Sequence, residues 1–361
     1  MYSLPMREPG LGLRSGSLSA RRGMAVPALR LAGPRAAGPP VAPPSAVGAL
    51  TWCWQPPFPL DLARTMGVHQ RGRGDPTYLT DGSGAAWRTS LTPDGPATMR
   101  VHAAPGGSGA ADEGAGGCPT VRAMAWGPGA AWLLASLPGL LGASDDPGSF
   151  TPVHPLVGEM SRRHPGLRIG RSGRVIEALV PAVLEQKVVG AEAKRAWRLL
   201  VLKFGGPAPG PAPAGMRVCP PPRTWTLIPS WEWHRAGVEL VRARTIIGAC
   251  RVAHKLEEIT TMAAADADHR LQALSGIGPW TSAEIRQRAC GDPDAVSVGD
   301  YHLPSIVGWA LTRQKVDDAG MCELLAPYAG HRYRAAWLLE MSGQGPPRHG
   351  PRNAPRDYRR I

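Results

Sequence analysis

The chain has 361 residues, with 41 Lys and Arg against 28 Asp and Glu for a formal charge of +13, so it can hold two ordinary domains and admits a polyanionic partner. Residues 1–50 hold six Arg against one Glu and residues 343–361 five Arg against one Asp, so the tails carry most of that charge and bulk charge alone supports nucleic-acid binding weakly. Six cysteines without a Cys-x-x-Cys pair offer no zinc knuckle or legible disulfide framework, and no apolar run reaches membrane-span length, Pro138 interrupting the best one, Ala130 to Gly142.

Residues 1–48 are Pro-, Gly- and Arg-rich with no core-forming pattern, and a disordered tail is expected. Arg21-Arg22 could open an export signal, but Pro27 and Arg30 spoil the apolar segment such a signal needs. From Leu50 the text changes. Thr51–Trp54, Thr77–Thr80, Ala86–Leu91, Ala97–His102 and Val121–Trp126 read as short strands between turns, with helices over Asp61–Gly67 and Ala130–Leu141. Residues 49–145 are therefore expected to form a small antiparallel α/β domain.

Helices dominate residues 146–342. Leu156–His164 predicts one, Ile176–Phe204 one long one, and Trp231–Leu256 and Glu257–Ala273 two more; Leu303–Leu311, Asp318–Leu325 and Tyr333–Met341 finish the bundle. Residues 205–223, rich in Pro, Ala and Gly, read as a flexible insertion, and residues 343–361 as a disordered basic tail. Cys250 and His254 have helical ligand spacing but lack a second pair, so no metal is expected.

Between two of these helices lies Leu274-Ser275-Gly276-Ile277-Gly278-Pro279-Trp280-Thr281. Two glycines around one isoleucine admit the positive φ values of a tight turn, while Ile277 can serve as a buried anchor. The helix predicted over Thr281–Cys290 stops at Gly291, and its free amides, beside glycines that let another backbone approach, suit a phosphate. Gly276, Ile277, Gly278 and Thr281 are the expected phosphate contacts. Asp300 follows just over twenty residues past Gly278, ahead of a helix, where it can cap that helix, serve as a reactive carboxylate, or both.

Leu-x-Gly-Ile-Gly-x-Trp-Thr followed by a spaced Asp resembles the helix-hairpin-helix DNA glycosylases, the 3-methyladenine DNA glycosylase II branch in particular, over about Glu177 to Leu339. The resemblance implies an α+β fold, a small N-terminal antiparallel domain followed by an all-helical glycosylase domain. It implies excision of alkylated purines from damaged double-stranded DNA, with Asp300 as the catalytic carboxylate and the extruded base held by Trp280, Tyr301 and Trp54. Gln186 and Lys187 match the segment from which the family inserts a wedge, though a lysine is a poor apolar plug; His331 and Arg332 fall where the branch often meets pocket or DNA, and His302 is a further candidate. Relatives that also cut the strand carry a lysine two residues after the second glycine, where this chain has Trp280, so a monofunctional enzyme is implied. No cofactor is expected beyond a monovalent cation at the hairpin carbonyls, and no cysteine follows Cys322 to build the iron–sulfur cluster of some relatives. A monomer in the bacterial cytoplasm, associated with the nucleoid and not with a membrane, completes the expectation. Two other readings stay open: an inactive module that binds bent or damaged DNA, and a bifunctional glycosylase/lyase.

Overall fold

The computed structural model of the chain describes residues 48–104 and 120–347. The two expected tails, apart from Gly48 and residues 343–347, lie outside the described residues, as does Cys118. No described helix is long and apolar enough to cross a membrane.

The first half builds a sheet. Strands β1 (Leu50–Trp54), β2 (Tyr78–Thr80), β3 (Ala86–Thr92), β4 (Gly95–Ala104) and β5 (Thr120–Trp126) pair antiparallel in the order β1-β5-β4-β3-β2. Side chains alternate across a pleated strand, so Ala97, Met99 and Val101 of β4 and Val121, Ala123 and Ala125 of β5 all turn to one face. Helix α1 (Leu62–Gly67) and helix α2 (Ala130–Leu140) contribute Leu62, Met66, Leu133, Leu137 and Leu140 to the core against that face. Asp61 starts α1, its carboxylate accepting from the Arg64 amide at 3.0 Å.

The rest is helical: α3 (Pro155–Arg163), α4 (Val175–Leu184), α5 (Gly190–Phe204), α6 (Pro222–Leu227), α7 (Ser230–Ala236), α8 (Leu240–Arg251), α9 (Ala253–Glu257), α10 (Ala264–Gln272), α11 (Pro279–Ile285), α12 (Leu303–Thr312), α13 (Asp318–Leu325) and α14 (Arg332–Met341). The single helix expected over Ile176–Phe204 is two. Lys187 takes a left-handed backbone at φ +53°, and Gln186 is engaged by a distant turn; the β-branched pair Val188-Val189 then favours extended backbone over another helical turn. The helix expected over Trp231–Leu256 is likewise broken, because Gly237 ends α7 in a left-handed cap whose amide bonds the His234 carbonyl at 2.8 Å. Residues 205–223 are packed rather than a free insertion: β6 (Gly206–Pro207) pairs with β7 (Arg217–Val218), and Met216 packs against the stacked rings of Trp87 and Trp126.

Two helical cores result. One joins α4, α5 and the helices from α6 to α11; the other joins α3 with α12, α13 and α14. The seam between sheet and helices is polar. Glu177 of α4 accepts from the Arg88 guanidinium at 3.0 Å, the Ser90 hydroxyl at 2.8 Å and the Leu91 amide at 2.6 Å, all on β3.

Candidate active site

The turn between α10 and α11 closes through the Ile277 amide, which donates to the Leu274 carbonyl at 3.1 Å. Ile277 is buried in the first helical core, the anchor its sequence position predicts. The two glycines differ. Gly276 has φ +87°, and a Cβ there would stand 2.1 Å from the Thr245 hydroxyl of α8, so this position needs glycine twice over. Gly278 is extended at φ −102°, ψ −175°, contrary to the positive φ expected of it, and a Cβ there meets nothing. The space beside it is open. Gln186 spans both sides of the turn, its Nε2 donating to the Gly276 carbonyl at 2.9 Å and to the Thr281 hydroxyl at 2.8 Å. Thr281 is only 3% exposed, and its hydroxyl serves to hold Gln186. α11 starts two residues earlier than expected because Pro279, with no N–H to lose, occupies its first turn. The Gly276 and Leu274 carbonyls, two oxygens that a hairpin cation could use, already accept one hydrogen bond each.

Past Ile285 the helix loosens into a π-helical turn over Arg286–Cys290 that Gly291 ends at φ +70°. The following loop is tied back to α11. Gln287 donates to the Ala295 carbonyl at 2.8 Å and to the Ser297 hydroxyl at 3.0 Å, and that hydroxyl donates to Glu284 at 2.7 Å. Arg286 pairs with Asp292, and Arg332 clasps Asp294 through its side chain at 2.8 Å. The loop therefore delivers Asp300 to a defined place. Its Oδ1 accepts the His302 and Leu303 amides at 2.7 and 2.8 Å, capping α12, and its Oδ2 accepts the Trp280 indole N–H at 3.1 Å. The carboxylate is thus fixed as a cap at the start of α12.

Four further polar residues lie on α11, its π-helical extension and α14. Glu284 and Arg288 follow Trp280 by four and eight residues; Arg288 pairs with Glu284 at 2.7 Å and donates to the Val68 carbonyl at 3.2 Å, reaching the sheet half of the molecule. From α14, Glu340 stands within electrostatic reach of Asp300, Glu284 and Arg288, and Tyr333, its ring stacked on Trp337, within reach of Arg288, Glu284 and Glu340. Burial pushes the Tyr333 hydroxyl up. Crowding by protein, then the charges of Asp300 and Glu284, push the Glu340 carboxyl up to about 7, with Arg288 opposing. The Glu340 side chain is nevertheless exposed. The i, i+4, i+8 spacing of Trp280, Glu284 and Arg288 was a signal in the sequence for two of these residues. Nothing local in the sequence points to Glu340 or Tyr333.

The other expected residues distribute unevenly. Tyr301, 83% exposed, stands beside Asp300 with its ring edge-on to His302. Lys187 is exposed on the α4–α5 turn next to Gln186, not on a helix. Trp54 is half-buried on β1, where its ring meets Trp52 and Phe58. Arg332 is committed to Asp294, and His331 bonds the Ser149 hydroxyl at 2.9 Å with its ring against Phe150. Burial, then Arg334, hold the His331 imidazole below its usual range. These last two brace the start of α14.

No family model matches the sequence, and no curated protein matches it. Solved structures do. A 3-methyladenine DNA glycosylase from Archaeoglobus fulgidus superposes with a TM-score of 0.63 at 14% identity, over 80% of this chain and 96% of that one. MBOgg1, solved in complex with a low-affinity DNA ligand, gives 0.61 at 15% identity over 81% and 96%. The Clostridium acetobutylicum 8-oxoguanine glycosylase/lyase in its apo form gives 0.59 at 12% identity over 80% and 95%. With five antiparallel strands, a helical body and a glycine-bearing hairpin that sets its following helix beside an anchored aspartate, this chain has the fold of the helix-hairpin-helix DNA glycosylases.

Proposed function

We propose that the chain is a monofunctional DNA glycosylase that extrudes a damaged purine from duplex DNA and hydrolyses its N-glycosidic bond, with alkylated purines such as 3-methyladenine as substrates. The observation that carries this reading is Asp300, a carboxylate fixed by two amides and an indole next to a turn with room for a DNA backbone. The first-turn amides of α11 have no intrahelical acceptor, so a phosphate docking over Gly278 completes them. A base in the duplex is out of reach of any side chain, so the nucleotide rotates out and its base rests on the Trp280 and Tyr301 rings. Breaking the bond builds positive charge on the sugar, and Asp300 stabilises that charge and aligns water. An alkylated purine already carries a positive charge and departs neutral.

The monofunctional part of the reading rests on Trp280, whose indole nitrogen is not a nucleophile and is already engaged with Asp300. Methylated duplex incubated with the protein should release free base, and Asp300→Asn should keep DNA affinity while losing about 100- to 1000-fold in rate. Asparagine keeps a capping oxygen, so the helix start survives. Wild-type rates in that variant would refute the role of Asp300, and no base release by the parent would leave a DNA-binding module only. Strand breaks should appear only after hot alkali; a covalent protein–DNA band under borohydride, lost in Lys187→Ala, would make the enzyme a lyase.

A further inference from the structure

We propose that a cavity at the seam between the sheet and the helices binds one monatomic anion, a halide such as chloride. The inference goes beyond the glycosylase reading and does not depend on it.

The cavity, about 30 Å³ in volume, lies where the α1–β2 connection, β3, α4, α5 and the π-helical turn after α11 meet. Three guanidinium groups line it, those of Arg71, Arg88 and Arg288, together with His69, Ser172 and Glu177. A space of this size suits one water-sized particle, whose share of the liquid is roughly 30 Å³. A phosphate is too large for it.

The hydrogen-bonding capacity around this space is lopsided. Arg71 is 8% exposed, and its guanidinium makes no hydrogen bond among the described residues; its one ion pair there, with Glu185, spans 3.6 Å. Arg88, 6% exposed, gives Glu177 one bond at 3.0 Å. Arg288 commits Nε to the Val68 carbonyl and Nη1 to Glu284, leaving Nη2 without a partner among the described residues. The Ser172 hydroxyl accepts the Arg174 amide at 3.3 Å, and its own proton meets no acceptor among the described residues. His69 Nε2 is buried without a partner. Burial, then the charges of Arg88, Arg288 and Arg71, hold that imidazole well below its usual range, so the ring is neutral and keeps one N–H.

Acceptors are scarce by comparison. Glu177 already receives three donors from β3. Asp75, within electrostatic reach of Arg71, receives the Arg71 and Thr77 amides, the Thr77 hydroxyl and the Trp197 indole. The lone pairs of the Thr77 and Thr89 hydroxyls remain, their protons going to Asp75 and the Arg217 carbonyl. A water must place its own protons as well as accept, whereas a halide only accepts. It also supplies negative charge beside Arg71, whose paired carboxylate is out of hydrogen-bonding range. Held there, the anion joins the α1–β2 connection, β3 and the π-helical turn through one guest, and it stabilises the seam by mass action.

The test uses the full chain without DNA at fixed pH and ionic strength, with sodium chloride exchanged stepwise for sodium gluconate, whose anion is too large for the cavity. The denaturation midpoint should rise with chloride, by about 2–4 °C per tenfold step once the site's dissociation constant is passed. Bromide should substitute for chloride, and crystals grown in bromide should show its anomalous signal inside the cavity. Arg71→Met keeps the aliphatic length and removes the unmatched donors, so its midpoint should no longer respond to chloride. A parent midpoint indifferent to chloride, a response that survives in Arg71→Met, or a cavity holding water alone in the bromide crystals overturns the proposal. If Arg71→Met does not fold, the bromide crystals of the parent decide: signal in the cavity upholds the site, and its absence refutes it.

Discussion

Trp280 offers an N–H as well as a ring. As a ring alone it would be one more surface for a base, but its indole donates to the same Asp300 oxygen that the helix-start amides leave free. Trp280→Phe keeps the stacking area and removes that donor. A hydrogen bond to a charged group is worth about 1.5–3 kcal/mol, so base release should slow by about 10- to 100-fold with DNA affinity little changed. The measurement is single-turnover release at saturating duplex. A variant as fast as the parent would show that the indole serves as a platform only.

At the scale of the element, the hairpin divides its two glycines between folding and binding. Gly276→Ala places a Cβ at a left-handed φ and 2.1 Å from the Thr245 hydroxyl of α8. The turn must move, and the variant should lose stability by about 1–3 kcal/mol. At Gly278 an added Cβ meets no protein atom, and the backbone is ordinary and extended, so Gly278→Val is tolerated. It should melt like the parent while binding every duplex more weakly, since its side chain fills the space a DNA backbone would enter. Thermal melts and duplex titrations of the pair check both halves. A loss of stability in Gly278→Val, or a loss of affinity confined to damaged DNA, would contradict the division. Gln186 belongs to the same element in space though not in sequence, holding the turn from the end of α4.

Across the whole molecule, the sheet and the helices meet through charge rather than through continuous apolar packing. Glu177 gathers three donors from β3, and Asp75 accepts the Trp197 indole of α5 at 2.9 Å. The Arg334–Asp145 pair, 3% and 0% exposed, ties α14 to the chain just before the helices begin. Removing one member of a buried pair leaves the other charge stranded. Glu177→Ala should therefore cost about 3–5 kcal/mol, read as a lower denaturation midpoint, whereas Glu177→Gln, which can still accept from the Leu91 amide and the Ser90 hydroxyl, should cost less. Equal losses in the two would mean that side-chain volume, not charge, matters at this seam. The same seam frames the site, because Arg288 reaches from α11 to the Val68 carbonyl.

What the amino-acid order determined by itself was local. Short runs bounded by Gly, Pro and Asp turns placed β3, β4 and β5 within a few residues, Asp317 and Pro155 stand at the starts of α13 and α3, and the Gly-Ile-Gly turn with Asp300 downstream pointed to the anchored carboxylate. These features arise from backbone geometry and turn chemistry, which depend on neighbours in the chain. Tertiary structure decided the rest. The break at Lys187 depends on the hairpin that captures Gln186, ninety residues away. Thr281 and Arg332 bond Gln186 and Asp294, partners that no local pattern predicts. Glu340 comes within electrostatic reach of Asp300 and Glu284, forty and fifty-six positions earlier in the chain, only through the packing of α14.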